Sequence, residues 1–239
     1  MTYTAARPLT ALALLMTLAL GCSASPNTPT GPIHQRPPDS VLDPTGYAEL
    51  APQHVDAIFA EQQAGFRNCN DAKPGPYVSG TARLQFLLDA RGRVEEVFVT
   101  ESDIGSRAVE DCLVRTARFL EFPLPPESGP ARFVRAFPFN EAAHRVARPV
   151  PESWGYTQVR AEREAIRTCR RTYGYEGPFH LTAYIGGRGR VLSAGFHARQ
   201  QTRDDFADCV LAVIREIRFP DAGSGVVKYR LLIELLPDD

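Results

Sequence analysis

Five cysteines and five histidines are the residues of this 239-residue chain best suited to do chemistry. The cysteines are Cys22, Cys69, Cys112, Cys169 and Cys209. None belongs to a C-x-x-C pair, whereas zinc sites usually take their ligands in pairs two to four residues apart. A four-cysteine metal site and a reactive thiol are therefore the competing readings, and disulfides the leading one. The histidines are scattered. Only His180 and His197 could be neighbours, on the two strands of one hairpin; the turn expected between those strands puts them on opposite sheet faces, whereas a two-residue turn at Arg188-Gly189 would place them across from each other. Two histidines without a carboxylate are a poor metal site in any case.

A nucleophile needs a base and an orienting group within reach. The chain has no G-x-S-x-G elbow, H-E-x-x-H motif, P-loop or dinucleotide fingerprint. The acid pairs Glu95-Glu96 and Asp204-Asp205 suit a solvated strand face and a helix start, although Glu96 falls on a face expected to be buried. No catalytic residue, cofactor or small-molecule substrate is expected, with an envelope enzyme kept as an alternative. A formal net charge of -1 supplies no field favouring nucleic acid. An arginine-rich helical segment carries Arg160, Arg163, Arg167, Arg170 and Arg171, with Glu162 and Glu164 between them, and Arg163, Arg167 and Arg170 are the candidate contacts. These arginines could contact an anionic glycan or lipid surface; a salt-bridged, solvated face is the plainer alternative.

The start of the chain implies a destination. Arg7 precedes an apolar run from Pro8 to Leu20, and Gly21-Cys22-Ser23 follows. The run is too short to cross a bilayer, for which about 20 apolar residues are needed. Its three parts are those of an export signal. Cys22 at the expected cut resembles a bacterial lipobox, with Ala19 where leucine is usual. A secretory peptide cut near Ala24 and an uncleaved anchor are the alternatives. By the common sorting rule for such lipoproteins, Ser23 implies the outer membrane, facing the periplasm or the cell surface. Residues 1–21 are thus expected to be a lipoprotein signal peptide, and residues 22–52, rich in Pro, Ser and Thr without apolar period, a tether.

Behind the tether the chain repeats itself. Arg91-Gly92-Arg93-Val94 recurs as Arg188-Gly189-Arg190-Val191, an offset of 97 residues. At the same offset Asp111-Cys112 matches Asp208-Cys209, and Phe122-Pro123 matches Phe219-Pro220. Two tandem α+β repeats follow, over residues 53–143 and 155–237, each read as helix, strand, strand, helix, strand, with the helices on a small antiparallel sheet. The first helices are expected over 53–68 and 158–171. The hairpins are expected at 80–88 with 94–100, and at 180–185 with 191–197. Type I turns closed by left-handed Gly92 and Gly189 would join their strands.

That turn would place Ala82, Leu84, Phe86, Leu88, Val94 and Phe98 on one buried face. Leu181, Ala183, Ile185 and Val191 are the counterparts in the second repeat. The second helices show one apolar stripe each. Val109, Cys112, Leu113, Thr116, Ala117 and Leu120 form the first, and Phe206, Cys209, Val210, Val213, Ile214 and Ile217 the second. Thr202 with Asp205 suits a capping box at the start of the latter helix. The last strands are expected near 132–139 and 227–235. With two cysteines per repeat at matched positions in an oxidising compartment, the expected pairs are Cys69 with Cys112 and Cys169 with Cys209.

These motifs in this order resemble the TonB C-terminal domain. The resemblance is nearer to the TonB-like domain that ends AgmX/PglI-type gliding-motility proteins. It rests on Cys69, Gly92-Arg93-Val94, Cys112, Phe122-Pro123-Leu124-Pro125 and Phe137-Pro138-Phe139. In the second repeat it rests on Cys169, Gly189-Arg190-Val191, Cys209 and Phe219-Pro220. The resemblance implies a non-catalytic module that binds a protein partner, with strand addition at a sheet edge as the expected mode. Combined with the N-terminus, it points to a lipid-anchored interaction module of the cell envelope, with a peptidoglycan or glycan binder as the alternative.

Overall fold

A computed structural model of the protein describes residues 47–123, 129–140 and 146–234. Cys22, the signal segment and the tether as far as residue 46 lie outside the described residues. The fold is α+β, and one series of elements occurs twice. The first half runs β1 (Ala48–Glu49), α1 (Pro52–Glu61), α2 (Gln63–Asn68), β2 (Gly80–Leu88), β3 (Val94–Ser102), α3 (Arg107–Ala117) and β4 (Ala131–Phe139). The second runs β5 (Arg148–Val150), α4 (Tyr156–Ala161), α5 (Arg163–Tyr173), β6 (Phe179–Ile185), β7 (Val191–His197), α6 (Asp204–Glu216) and β8 (Val227–Ile233).

Each half has one four-stranded sheet, in the order β1-β4-β2-β3 and β5-β8-β6-β7. The sheets are mixed, not purely antiparallel as expected. The short β1 runs parallel to β4, pairing Ala48 with Ala131, and β5 runs parallel to β8. Ala48, inside the expected tether, is thus a buried strand residue. Two- and three-residue strands have no visible alternation, so their pairing comes from the neighbour they dock on.

The expected first helices are each broken once, at Gln62 and at Glu162, where ψ rises to 9° and 10°. The break lets the second segment change direction and carry its cysteine toward the next helix. A 3-10 turn over Cys69–Ala72 follows α2. Helix α6 starts at Asp204 behind Arg203, without the capping bond expected of Thr202. Asp204 and Asp205 instead occupy its first turn, where the helix dipole favours acids.

The first hairpin turn closes as expected on left-handed Gly92, at φ 79°; in the second, Arg188 is left-handed as well as Gly189, at φ 59° and 67°, so that turn is not the expected type I. The strands beyond them do not keep the simple register. Leu88 pairs with Val94 but Leu87 with Glu96, so Glu95 is an extra, bulged residue. Val97 therefore enters the core in place of the expected Phe98, and Glu96 turns away from it. Leu192 is the equivalent extra residue in the second hairpin, because Ile185 pairs with Val191 and Tyr184 with Ser193. The bulge also overturns the expected separation of the histidines. His180 pairs with His197, and their rings stack at 4.7 Å.

The duplicated motifs contact each other. The Phe122 N–H donates to the Gly92 carbonyl at 2.7 Å, and the Phe219 N–H to the Gly189 carbonyl at 3.0 Å. The Phe side chains are buried, so each Phe-Pro unit locks the end of a helix onto the tip of a hairpin. A β-carbon on Gly189 would collide with the Phe219 carbonyl, which explains why this turn residue is glycine. Cys69 and Cys112 are bonded, with α-carbons 5.6 Å apart, and so are Cys169 and Cys209, at 5.8 Å. Each bond joins the segment before the hairpin to the helix after it.

Candidate functional site

Helices α3 and α6 each bury more than the single expected stripe. On α3 the addition is Glu110, 1% exposed, and on α6 it is Ala207 and Leu211. Ala207 and Leu211 belong to the core of the second half, whereas Glu110 is buried because the two halves pack against each other.

The second sheet turns its helix-free face, carrying Thr182, Tyr184, Ser193 and Gly195, toward the first half. Tyr184 is buried within the core of that half, its ring 5.3 Å from Tyr77. Its hydroxyl donates to the Ser79 carbonyl at 2.8 Å. Lys228 reaches the same carbonyl at 2.9 Å and Asp103 Oδ2 at 3.1 Å. The Ser193 hydroxyl donates to the Gly105 carbonyl at 2.6 Å. Arg107 at the start of α3 pairs with its own Asp111 and with Asp204 and Asp208 of α6.

Glu110 sits inside this joint. One carboxyl oxygen accepts from the Ser102 hydroxyl at 2.6 Å, and the other from the Phe196 N–H at 3.3 Å. Burial pushes its pKa up to about 7, against the opposing pull of those two donors and Arg107. A buried acid with such a pKa in a cleft is a candidate general base. Here Glu110 is 1% exposed and both of its oxygens accept hydrogen bonds within the joint, while its helix also lines the groove beside it.

Beside the joint lies a groove of about 640 Å³. One wall is β3, through Val97, Phe98 and Val99, together with α3, through Arg107, Glu110, Asp111, Val114 and Arg115; the other is the end of β7 and the start of α6. Strand β3 is the last strand of its sheet on that side. Its helix-free face is open, unlike that of the second sheet, and Phe98 is half-buried there. Phe119, just past α3, is 87% exposed. The last strands, by contrast, have their outer edges partly covered, β4 by β1 and β8 by β5.

The arginines singled out in the sequence lie on α5. Arg167 and Arg170 are only 24% and 18% exposed at the side chain and lie 3.9 Å from Glu164 and Glu176 respectively. The neighbouring Arg171 also pairs with Glu164, at 2.8 Å. Among the described residues no helix is long and apolar enough to cross a membrane, and no group of three or more His, Cys, Asp and Glu side chains could hold a metal. The interhalf groove was not legible in the sequence.

No known family matches this chain by its sequence profile, and no curated protein matches it in sequence. Among solved structures, the chain is similar to the solution structure of the TonB C-terminal domain of Helicobacter pylori, at 18% identity and a TM-score of 0.22, over 40% of this chain and all of that one.

Proposed function

We propose that this protein is a non-catalytic interaction module of the cell envelope, built as two tandem TonB-like units of the AgmX/PglI type. In this reading Cys22 carries the lipid that anchors it to the outer membrane, and residues 22–46 let the folded part stand off the surface. It binds another protein by taking up an extended segment along the free edge of β3.

One observation carries the reading. Strand β3 is a nine-residue edge strand with no strand hydrogen-bonded to its outer side among the described residues, and it borders the groove of about 640 Å³ that separates it from the end of β7. Unpaired backbone N–H and C=O groups on such an edge are a template for strand addition. The other interior edge, β7, already gives the Phe196 N–H to Glu110. Exposed Phe119 and half-buried Phe98 provide aromatic anchors near the strand.

Photo-crosslinking in intact cells tests this. A photoreactive phenylalanine analogue in place of Phe98 or Phe119 should give discrete protein adducts, and one in place of Leu232 on β8 should not. Adducts from position 232 with none from 98 or 119 would remove β3 as the docking edge.

A further inference from the structure

A second cleft between the halves, of about 390 Å³, is lined from the second half by His180, His197, Arg199 and Arg230. The first half contributes Arg83, Glu101 and Asp103. The charges do not cancel. Arg83 pairs with Glu101 at 3.2 Å. Asp103 accepts from the Thr81 N–H at 2.6 Å and is held by Lys228 at 3.1 Å. Each acid thus has a nearer partner than the two remaining arginines, Asp103 feeling Arg230 only at longer range. Arg199 and Arg230 have no ion pair among the described residues.

The stacked histidines lie within this uncompensated positive charge. Their rings are parallel to within 4°, so their nitrogens do not converge on one cation. Burial pushes the His197 pKa down to about 3, with His180 and Arg230 adding to the effect. Burial also lowers that of His180, followed by Arg230 and Arg199. Both groups are thus held toward the neutral form, two imidazoles each able to donate a ring N–H. Guanidinium groups beside neutral donors are the chemistry that recognises carboxylate and phosphate.

We propose that this cleft binds an oxyanion, a carboxylate or phosphate group, between Arg199 and Arg230 with the His180 ring as a neutral donor. The cleft adjoins the end of β3, through Thr100, Glu101 and Ser102, but the anion contacts lie on Arg199, Arg230 and His180 of the second half and stand whether or not a partner binds along β3.

The test follows the ring nitrogens of His180 and His197 by NMR in the full folded chain, at constant ionic strength. Inorganic phosphate is added in one series and acetate in the other. A saturable shift of the His180 signals is expected, weakened roughly tenfold or more in the R199Q/R230Q double variant. Saturation by phosphate alone assigns a phosphoryl ligand, and saturation by acetate as well assigns a carboxylate. Both arginines are exposed. If the double variant loses its native amide spectrum, R199Q alone carries the comparison. The proposal fails if neither anion saturates, if the arginine variants bind unchanged, or if zinc ions shift both rings stoichiometrically where anions do not.

Discussion

The carboxylate of Glu110 accepts a hydrogen bond from the backbone N–H of Phe196, 86 residues further along the chain, at 3.3 Å. An acid on the second helix of one half thereby closes the edge strand of the other. The bond spans the joint on which the groove and the second cleft both depend. Ala207 stands at the equivalent place in the second half, so the contact is made once and is not a general property of the unit.

Glu110 and His197 should give stability opposite slopes with pH. The Glu110 pKa rises from 4.5 to about 7 on folding, so the folded chain keeps a proton that the unfolded chain releases. Its favourable contribution is complete below pH 4.5 and is lost as pH rises through 7. The His197 pKa falls from 6.5 to about 3, so its contribution is present above pH 6.5 and is lost as pH falls toward 3. Each slope is about 1.4 kcal/mol per pH unit, and they oppose each other between pH 4.5 and 6.5. Denaturant unfolding of Glu110→Gln should therefore gain on wild type by on the order of 3 kcal/mol between pH 4.5 and 8. A difference independent of pH would mean that Glu110 stays ionised in the fold.

Gly195 leaves no room beside that carboxylate. A β-carbon there would lie 2.6 Å from Glu110 Oε1, 2.8 Å from the Ser106 nitrogen and 3.0 Å from the Gly105 α-carbon. Two of these neighbours are backbone and cannot swing aside. Gly195→Ala should cost about 1–3 kcal/mol through overpacking. Gly225→Ala, with nothing within 4 Å of its β-carbon, should be neutral or slightly stabilising. Thermal unfolding of the two variants side by side checks the joint, and equal melting temperatures would count against it.

Each disulfide closes a similar loop, with sequence separations of 43 and 40 residues. Chain entropy makes each worth about 4 kcal/mol. Tyr184 of the second half lies in the core of the first, so the halves should unfold together. Replacing Cys69 and Cys112 with serine should lower the single calorimetric transition, as should replacing Cys169 and Cys209. A variant with two resolved transitions would show that the halves are energetically independent. Peptide mapping without reductant checks the pairing directly.

Much of each half is legible in the linear chain, because its information is local. Strand β2 and the core-facing residues of β6 follow from alternation, the left-handed glycines from turn geometry, and the main stripes of α3 and α6 from helical period. The recurrence of Gly-Arg-Val and Phe-Pro at one offset marks two copies of a unit before any contact is known. Matched cysteines in a chain that begins like an exported protein suggest the pairs that the fold brings together.

Other features have no local signature. A bulged Glu95 or Leu192 looks like any strand residue, yet it decides whether Val97 or Phe98 enters the core and whether His180 meets His197. Strands β1 and β5 are too short for a periodic pattern and exist because a neighbouring strand offers an edge. Glu110 reads as a solvent-facing helix acid, because the residues that bury it, Gly195 and Phe196, lie 85 and more positions away in sequence. Local alternation and helical period specified the unit, since they depend only on near neighbours. The mating of two units, with the clefts it creates, depends on surfaces that exist only after both have folded, so tertiary structure alone decided it.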